Sequence, residues 1–199
     1  MKKLILTFVA LFLFTLCSCH TPSYTFSARS SNDPIKFQEG NYLVYTRDIP
    51  TRLQKDFEKE LLQNFSAYVG RNNLKLASET SGLILPARIP ISPDKKLLNE
   101  LKIGAESFDY LINIHTNMAS DDIGSMQIGN LSSSDRNSVS VSLEIIDLNV
   151  PGSIYFQEVY SVLQANKDTK DFSFAVTAEK MMDKSFKKIL SRIEKNYID

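Results

Sequence analysis

Few side chains in this sequence have types and spacings that suggest chemistry. His115 stands a short way before Asp121 and Asp122, and a metal ion needs such ligands to converge on it. One imidazole with two neighbouring carboxylates is a sparse set, and the spacing of Asp121, Asp122 and Asp135 matches no calcium loop. Asp33, Asp48 and Asp147 read as turn or strand-end residues. The chain has no glycine-rich phosphate loop and no Gly-x-Ser-x-Gly elbow. Its two cysteines, Cys17 and Cys19, both fall close to the start. The rest of the chain therefore has neither a thiol nucleophile nor a disulfide, and ordinary packing must stabilise it. The expectation is a protein that is not an enzyme, with no catalytic residue, no metal and no cofactor.

The surroundings of Cys19 are more informative. Met1-Lys2-Lys3 is positive, and Leu4 to Leu16 follows without a charge, with Thr7 and Thr15 as its polar members. That run has the length of an export-signal core and is short for a bilayer of roughly 30 Å. The positive end fits retention on the cytoplasmic side. Leu16-Cys17-Ser18-Cys19 resembles the bacterial lipobox. The resemblance implies a diacylglycerol thioether on Cys19 and cleavage between Ser18 and Cys19, so residues 1–18 are the expected signal peptide. Two or more acyl chains, of palmitate type, hold a protein firmly to a membrane, where one holds it marginally. Residue 20 is His20, where aspartate directs inner-membrane retention in some bacteria, and no acidic cluster follows the cysteine. The expected location is the inner leaflet of the outer membrane, facing the periplasm.

Composition sets further bounds. The chain carries 23 basic and 23 acidic residues. That leaves no basic excess to grip phosphate backbones, so nucleic acid is not an expected partner. The chain beyond Cys19 is long enough for one domain with a proper core and too short for two.

Residues 19–37, rich in Ser, Thr, Pro and Asn, read as a flexible tether, and 38–199 as the globular domain. Asn41 to Arg47 is a β-rich run. Thr51 is a plausible helix N-cap, and Leu53, Phe57, Leu61, Phe65 and Tyr68 then recur at helical spacing until Gly70. Asn73 to Glu79 is a weaker strand. Ser92-Pro93-Asp94 reads as a helix start with Ser92 as N-cap, burying Leu97, Leu98 and Leu101 and ending near Gly104. Phe108 to Asn117 reads as a central strand and Ala119 to Ser138 as a polar loop. Val139, Val141, Leu143 and Ile145 alternate with Ser140, Ser142 and Glu144, the pattern of a half-buried strand. Asn149 to Ser153 is a turn, and Ile154 to Gln164 the return strand. After a polar stretch from Asn166 to Asp171, a last helix presents Ala175, Ala178, Met182, Phe186, Ile189 and Ile193. Its basic residues Lys184, Lys187, Lys188 and Arg192 are of a kind that can face anionic lipid headgroups, but Glu179, Asp183 and Glu194 interleave with them in sequence, which favours an ordinary solvated face. The order β-α-β-α-β-β-β-α predicts a single α+β domain: one mixed β-sheet with helices packed on one face.

Three phrases resemble a known group of proteins. Phe108-Asp109-Tyr110-Leu111-Ile112-Asn113-Ile114, after Ile103-Gly104-Ala105, is similar to that group's entry into its third strand. The run from Val139 to Asp147, the Pro151-Gly152 turn and Ile154-Tyr155 are similar to its hairpin, and the final helix fits too. The group comprises the curli-secretion channel lipoprotein, the penicillin-binding-protein activator lipoprotein and the TolB N-terminal domain. The resemblance implies a non-enzymatic envelope protein acting through an envelope protein partner or self-assembly, with the membrane reached through the lipid on Cys19. Ala119 to Ser138 lacks the alternating apolar residues of a pore hairpin. Tyr24-Thr25-Phe26 gives a second resemblance, to the lipoprotein plug of the lipopolysaccharide-assembly translocon, which generally lacks the helix from Pro93 to Ile103. That makes a lipopolysaccharide-assembly or transport accessory the alternative.

Overall fold

The computed structural model describes residues 21–124, 126–127, 135–165, 173–174 and 176–198. Cys17, Ser18, Cys19 and the signal peptide expected over 1–18 lie outside them, as do Asn166 to Asp171 and Ala175. Among the described residues no helix is long and apolar enough to cross a membrane.

The strands are β1 (Ser23–Phe26), β2 (Tyr42–Asp48), β3 (Leu74–Leu76), β4 (Tyr110–Asp121), β5 (Met126–Gln127), β6 (Arg136–Asp147), β7 (Gly152–Gln164) and β8 (Ser173–Phe174). The α-helices are α1 (Thr51–Val69), α2 (Lys95–Gly104) and α3 (Ala178–Asn196), with a 3-10 turn at Arg71–Asn73. Six strands form one mixed sheet in the order β1-β7-β6-β4-β2-β3, and β5 pairs with β8 in a small separate ribbon. The fold is the single-sheet α+β domain expected, with β1 and the ribbon added.

β2 is buried at five consecutive residues, Tyr42 to Thr46. A strand reads this way when both faces of the sheet are covered. Tyr42 and Val44 join the larger core with Ile112, Ile114, Val141, Leu143, Phe57, Phe65, Phe186 and Ile189, under α1 and α3. Phe57 and Phe186 stack there with ring centroids 4.2 Å apart. The alternate residues Leu43, Tyr45, Leu111 and Ile146 join Leu98 and Leu101 of α2, and Ile89, in a second core. Successive strand residues point to opposite faces, so α2 covers the face that α1 and α3 leave open. This corrects the expectation of helices on one face. Strands β3, β2 and β4 are parallel. The β2–α1–β3 crossover steps one way across the sheet, and β3–α2–β4 steps back. Both can be right-handed, as such crossovers almost always are, only on opposite faces.

The segment read as a tether is the other correction. Ser23 to Phe26 pairs antiparallel with β7, from Ser23 opposite Val162 to Phe26 opposite Val159. Beyond it Ser27 and Ser31 donate their N–H groups to the carbonyls of Glu158 and Phe156, at 2.8 and 2.7 Å. Ile35 is buried and bridges to Tyr197. Short polar residues that suit a linker serve here as an edge strand and its continuation. The domain therefore begins by Ser23 and not at residue 38.

Boundaries move for local reasons. β4 and β6 continue into the expected loop, pairing as far as Asp121 opposite Asn137. Thr51 is the first residue of α1, and its N-cap is Pro50 with no side-chain cap. α2 is capped by Asp94, whose carboxylate accepts from Leu97 N–H at 2.8 Å, and not by Ser92. Ser92 instead takes φ 53°, uncommon for a residue other than glycine.

Candidate functional site

On the α2 face, between the second core and β7, lie Asp48, His115, Asn113, Ser142, Glu144 and Glu158, while Thr46, Thr116, Asn137, Gln157 and Ser161 are buried polar residues of the opposite face. Strand register sets the first group in two rows. Asp48, His115, Ser142 and Glu158 lie opposite one another across β2, β4, β6 and β7. In the next row, Asn113 of β4 faces Glu144 of β6, and Glu144 faces Phe156 of β7. The segment from Arg88 to Ser92 lies over them.

Asp48 closes β2 and holds the imidazole. His115 Nδ1 is 2.8 Å from Asp48 Oδ2, and Arg88 Nη2 is 3.0 Å from His115 Nε2. Arg88 Nε also sits 3.5 Å from Asp48 Oδ1. Nδ1 thus donates to the carboxylate and Nε2 accepts from the guanidinium. Neither ring nitrogen is left to take a proton from a substrate or to bind a metal. Thr116 Oγ1 donates to the Asp48 carbonyl at 2.7 Å, which fixes the end of β2 against β4.

Glu144 is deeper, at 1 % exposure. Its Oε2 accepts from the strained Ser92 N–H at 3.1 Å. Burial raises its pKa, against hydrogen bonds from the Ser153 side chain and Ser92 N–H and the charge of Arg29. Glu144 Oε1 and Asn113 Oδ1 are both buried without a partner, while Asn113 Nδ2 donates to the Ile89 carbonyl at 3.1 Å. Two bare acceptors on facing residues lack a donor, and a proton on Glu144 would supply one. Glu158, also buried, is met by Arg29 at 3.4 Å.

The structure does not bring His115 together with Asp121 or Asp122. Asp121 pairs with Asn137, six residues further along β4, roughly 20 Å at strand rise. Asp122 accepts from Arg136 N–H. Among the described residues no three His, Cys, Asp or Glu side chains are placed to hold a metal ion. Asp147 caps its turn, accepting from the N–H groups of Asn149 and Val150. Sequence reasoning missed Glu144 and Asn113 as a buried pair, because alternation predicts Glu144 to face water. The signal was the loop from Ser81 to Pro90, long enough to cover a sheet face.

No family model matches the sequence, and no curated protein sequence matches it. Among solved structures, the chain is similar to a dodecameric PelC variant from Paraburkholderia phytofirmans at 11% identity, with a TM-score of 0.41, covering 87% of this chain and 98% of that one. It is also similar to a putative neuraminyllactose-binding hemagglutinin homolog from Helicobacter pylori at 16% identity, with a TM-score of 0.38, covering 85% and 91%.

Proposed function

We propose that this chain is a lipid-anchored, non-enzymatic envelope protein that works by contact, as an interaction or assembly module on a membrane-associated machine. The observation that carries this reading is Leu16-Cys17-Ser18-Cys19 behind an apolar run of export-signal length. The fold adds a distance. β1 starts at Ser23, four residues after Cys19, and an extended chain of that length spans at most about 14 Å. A lipid on Cys19 holds the domain against the bilayer surface, not at the end of a long arm. The imidazole of His115, engaged at both nitrogens, supports a positioning role for the polar rows in place of a catalytic one. His20 supports the periplasmic side of the outer membrane. The accessory role in lipopolysaccharide assembly ranks second, since α2 occupies the place of the helix that family generally lacks.

Intact mass of the protein from membrane fractions tests the anchor. The expected N-terminus is a diacylglyceryl-modified Cys19, and a Cys19→Ala variant should lose cleavage and membrane attachment. Full-size Cys19→Ala protein that behaves like the parent sinks the reading. Crosslinking in intact cells tests the contact: repeated failure to trap any envelope protein or a second copy counts against it.

A further inference from the structure

We propose that the β1 side of α3 is a docking surface for anionic phospholipid headgroups, which lays the domain on its side against the bilayer. This rests on the lipid-anchor reading. In sequence α3 mixes its signs, but at 3.6 residues per turn they separate. Lys184, Lys188 and Lys195 are exposed and share one stripe with the half-buried Arg192. Glu179, Asp183 and Glu194 fall on the side turned to α1. There Arg52 meets Glu179 at 3.6 Å, and Lys187 joins Asp183 at 3.0 Å and Glu60 at 3.2 Å. Among the described residues, the four cations of the stripe enter no ion pair with an acid. Asp183 borders the stripe and is taken up by Lys187 at 3.0 Å.

The stripe flanks the strand nearest the anchor. Lys188 Nζ is 5.3 Å from the centre of the Tyr24 ring, and the Arg192 guanidinium is 4.3 Å from that of Phe26. Arg192 also donates to the Asn32 side chain. A cleft of about 330 Å³ opens between Phe26, Lys188, Ser191, Arg192, Lys195 and Asn196. From Lys184 to Lys195 the helix advances about 16 Å. Ser23 lies at the Lys184 end of this array and Phe26 near Arg192, so the lipid on Cys19 enters at one end and the cations run away from it. Charge complementarity and a linker shorter than the stripe together commit the surface to the membrane in which the anchor sits. A cation close to an anionic bilayer is worth about five-fold in partition, added to an anchor that already supplies proximity.

The test uses the full mature lipoprotein carrying a bimane label at Ser191→Cys, reconstituted into vesicles with a headgroup nitroxide quencher. Vesicles of phosphatidylcholine alone are compared with vesicles that also contain phosphatidylglycerol. The expected result is quenching several-fold stronger in the anionic vesicles, relieved by salt and abolished by Lys184→Glu with Lys188→Glu. Lys55→Glu with Lys59→Glu, on exposed α1, should leave it unchanged. Equal quenching in both vesicles, or indifference to charge reversal on α3, overturns the proposal. Flotation with neutral vesicles reports the anchor alone. If that fails, the anchor reading falls, and the stripe is then judged by flotation with anionic vesicles, where none means it falls too.

Discussion

The two faces of the sheet are stabilised by different means. Under α1 and α3 the strands present Val139, Val141, Leu143, Ile112 and Ile114 to helices that answer with Phe57, Phe65, Phe186 and Ile189. Under α2 a smaller apolar group gives way to Asp48, His115, Asn113, Glu144 and Glu158. An apolar face gains free energy in proportion to the area it removes from water. A polar face breaks even only where each buried group has a partner, and it loses where one does not. The first face therefore supplies most of the apolar stabilisation, and the second fixes geometry: it locks the end of β2 against the middle of β4 and pins the segment from Arg88 to Ser92.

The sharpest test of that contrast is truncation on the helix face. Phe186 is fully buried and stacked on Phe57, so Phe186→Ala should cost about 4 kcal/mol of unfolding free energy, measured by urea denaturation. A loss under about 1 kcal/mol would mean that the stability lies elsewhere.

On the polar face, Asp48→Ala removes the acceptor of a half-buried imidazole N–H and should cost about 2 kcal/mol. His115→Ala should cost a similar amount, and the double variant should cost clearly less than their sum, since the two act as one unit. Full additivity would dissolve the cluster into separate surface residues.

The contrast also marks how far the sequence could be read. The apolar stripe of α1, the buried face of α3 and the alternation of β6 were legible, because one-sided burial imprints a period on neighbouring residues. The alternation predicts Glu144 to face water, and the fold buries it, because what lies above a strand is decided by a crossover that no local pattern encodes. β1 was illegible for the same kind of reason. Four residues of mixed polarity carry little period, and their partner in β7 lies more than a hundred residues away. His115 was singled out on its type, while its partner Asp48 came from the register of two parallel strands.

Glu144→Gln should break the comparison in the opposite direction, by stabilising the protein. Burial raises the folded-state pKa of Glu144, so the folded chain holds this proton more tightly than the unfolded one. As pH climbs from the ordinary glutamate value through the raised one, the unfolded state ionises first, and stability is lost across that window. Above it the folded protein carries a buried carboxylate whose Oε1 has no partner, on the residue opposite Asn113, whose Oδ1 also has none. Glutamine is neutral at every pH. Its oxygen can still accept from Ser92 N–H, and its amide nitrogen brings the donor that Asn113 lacks. The expected gain is about 1 kcal/mol at neutral pH, the size of one neutral hydrogen bond, shrinking towards zero as pH falls below the ordinary glutamate range. Urea unfolding of both proteins at pH 4 and pH 7 measures it. A variant less stable than the parent at pH 7 would show that the carboxylate is the form the polar face is built to hold.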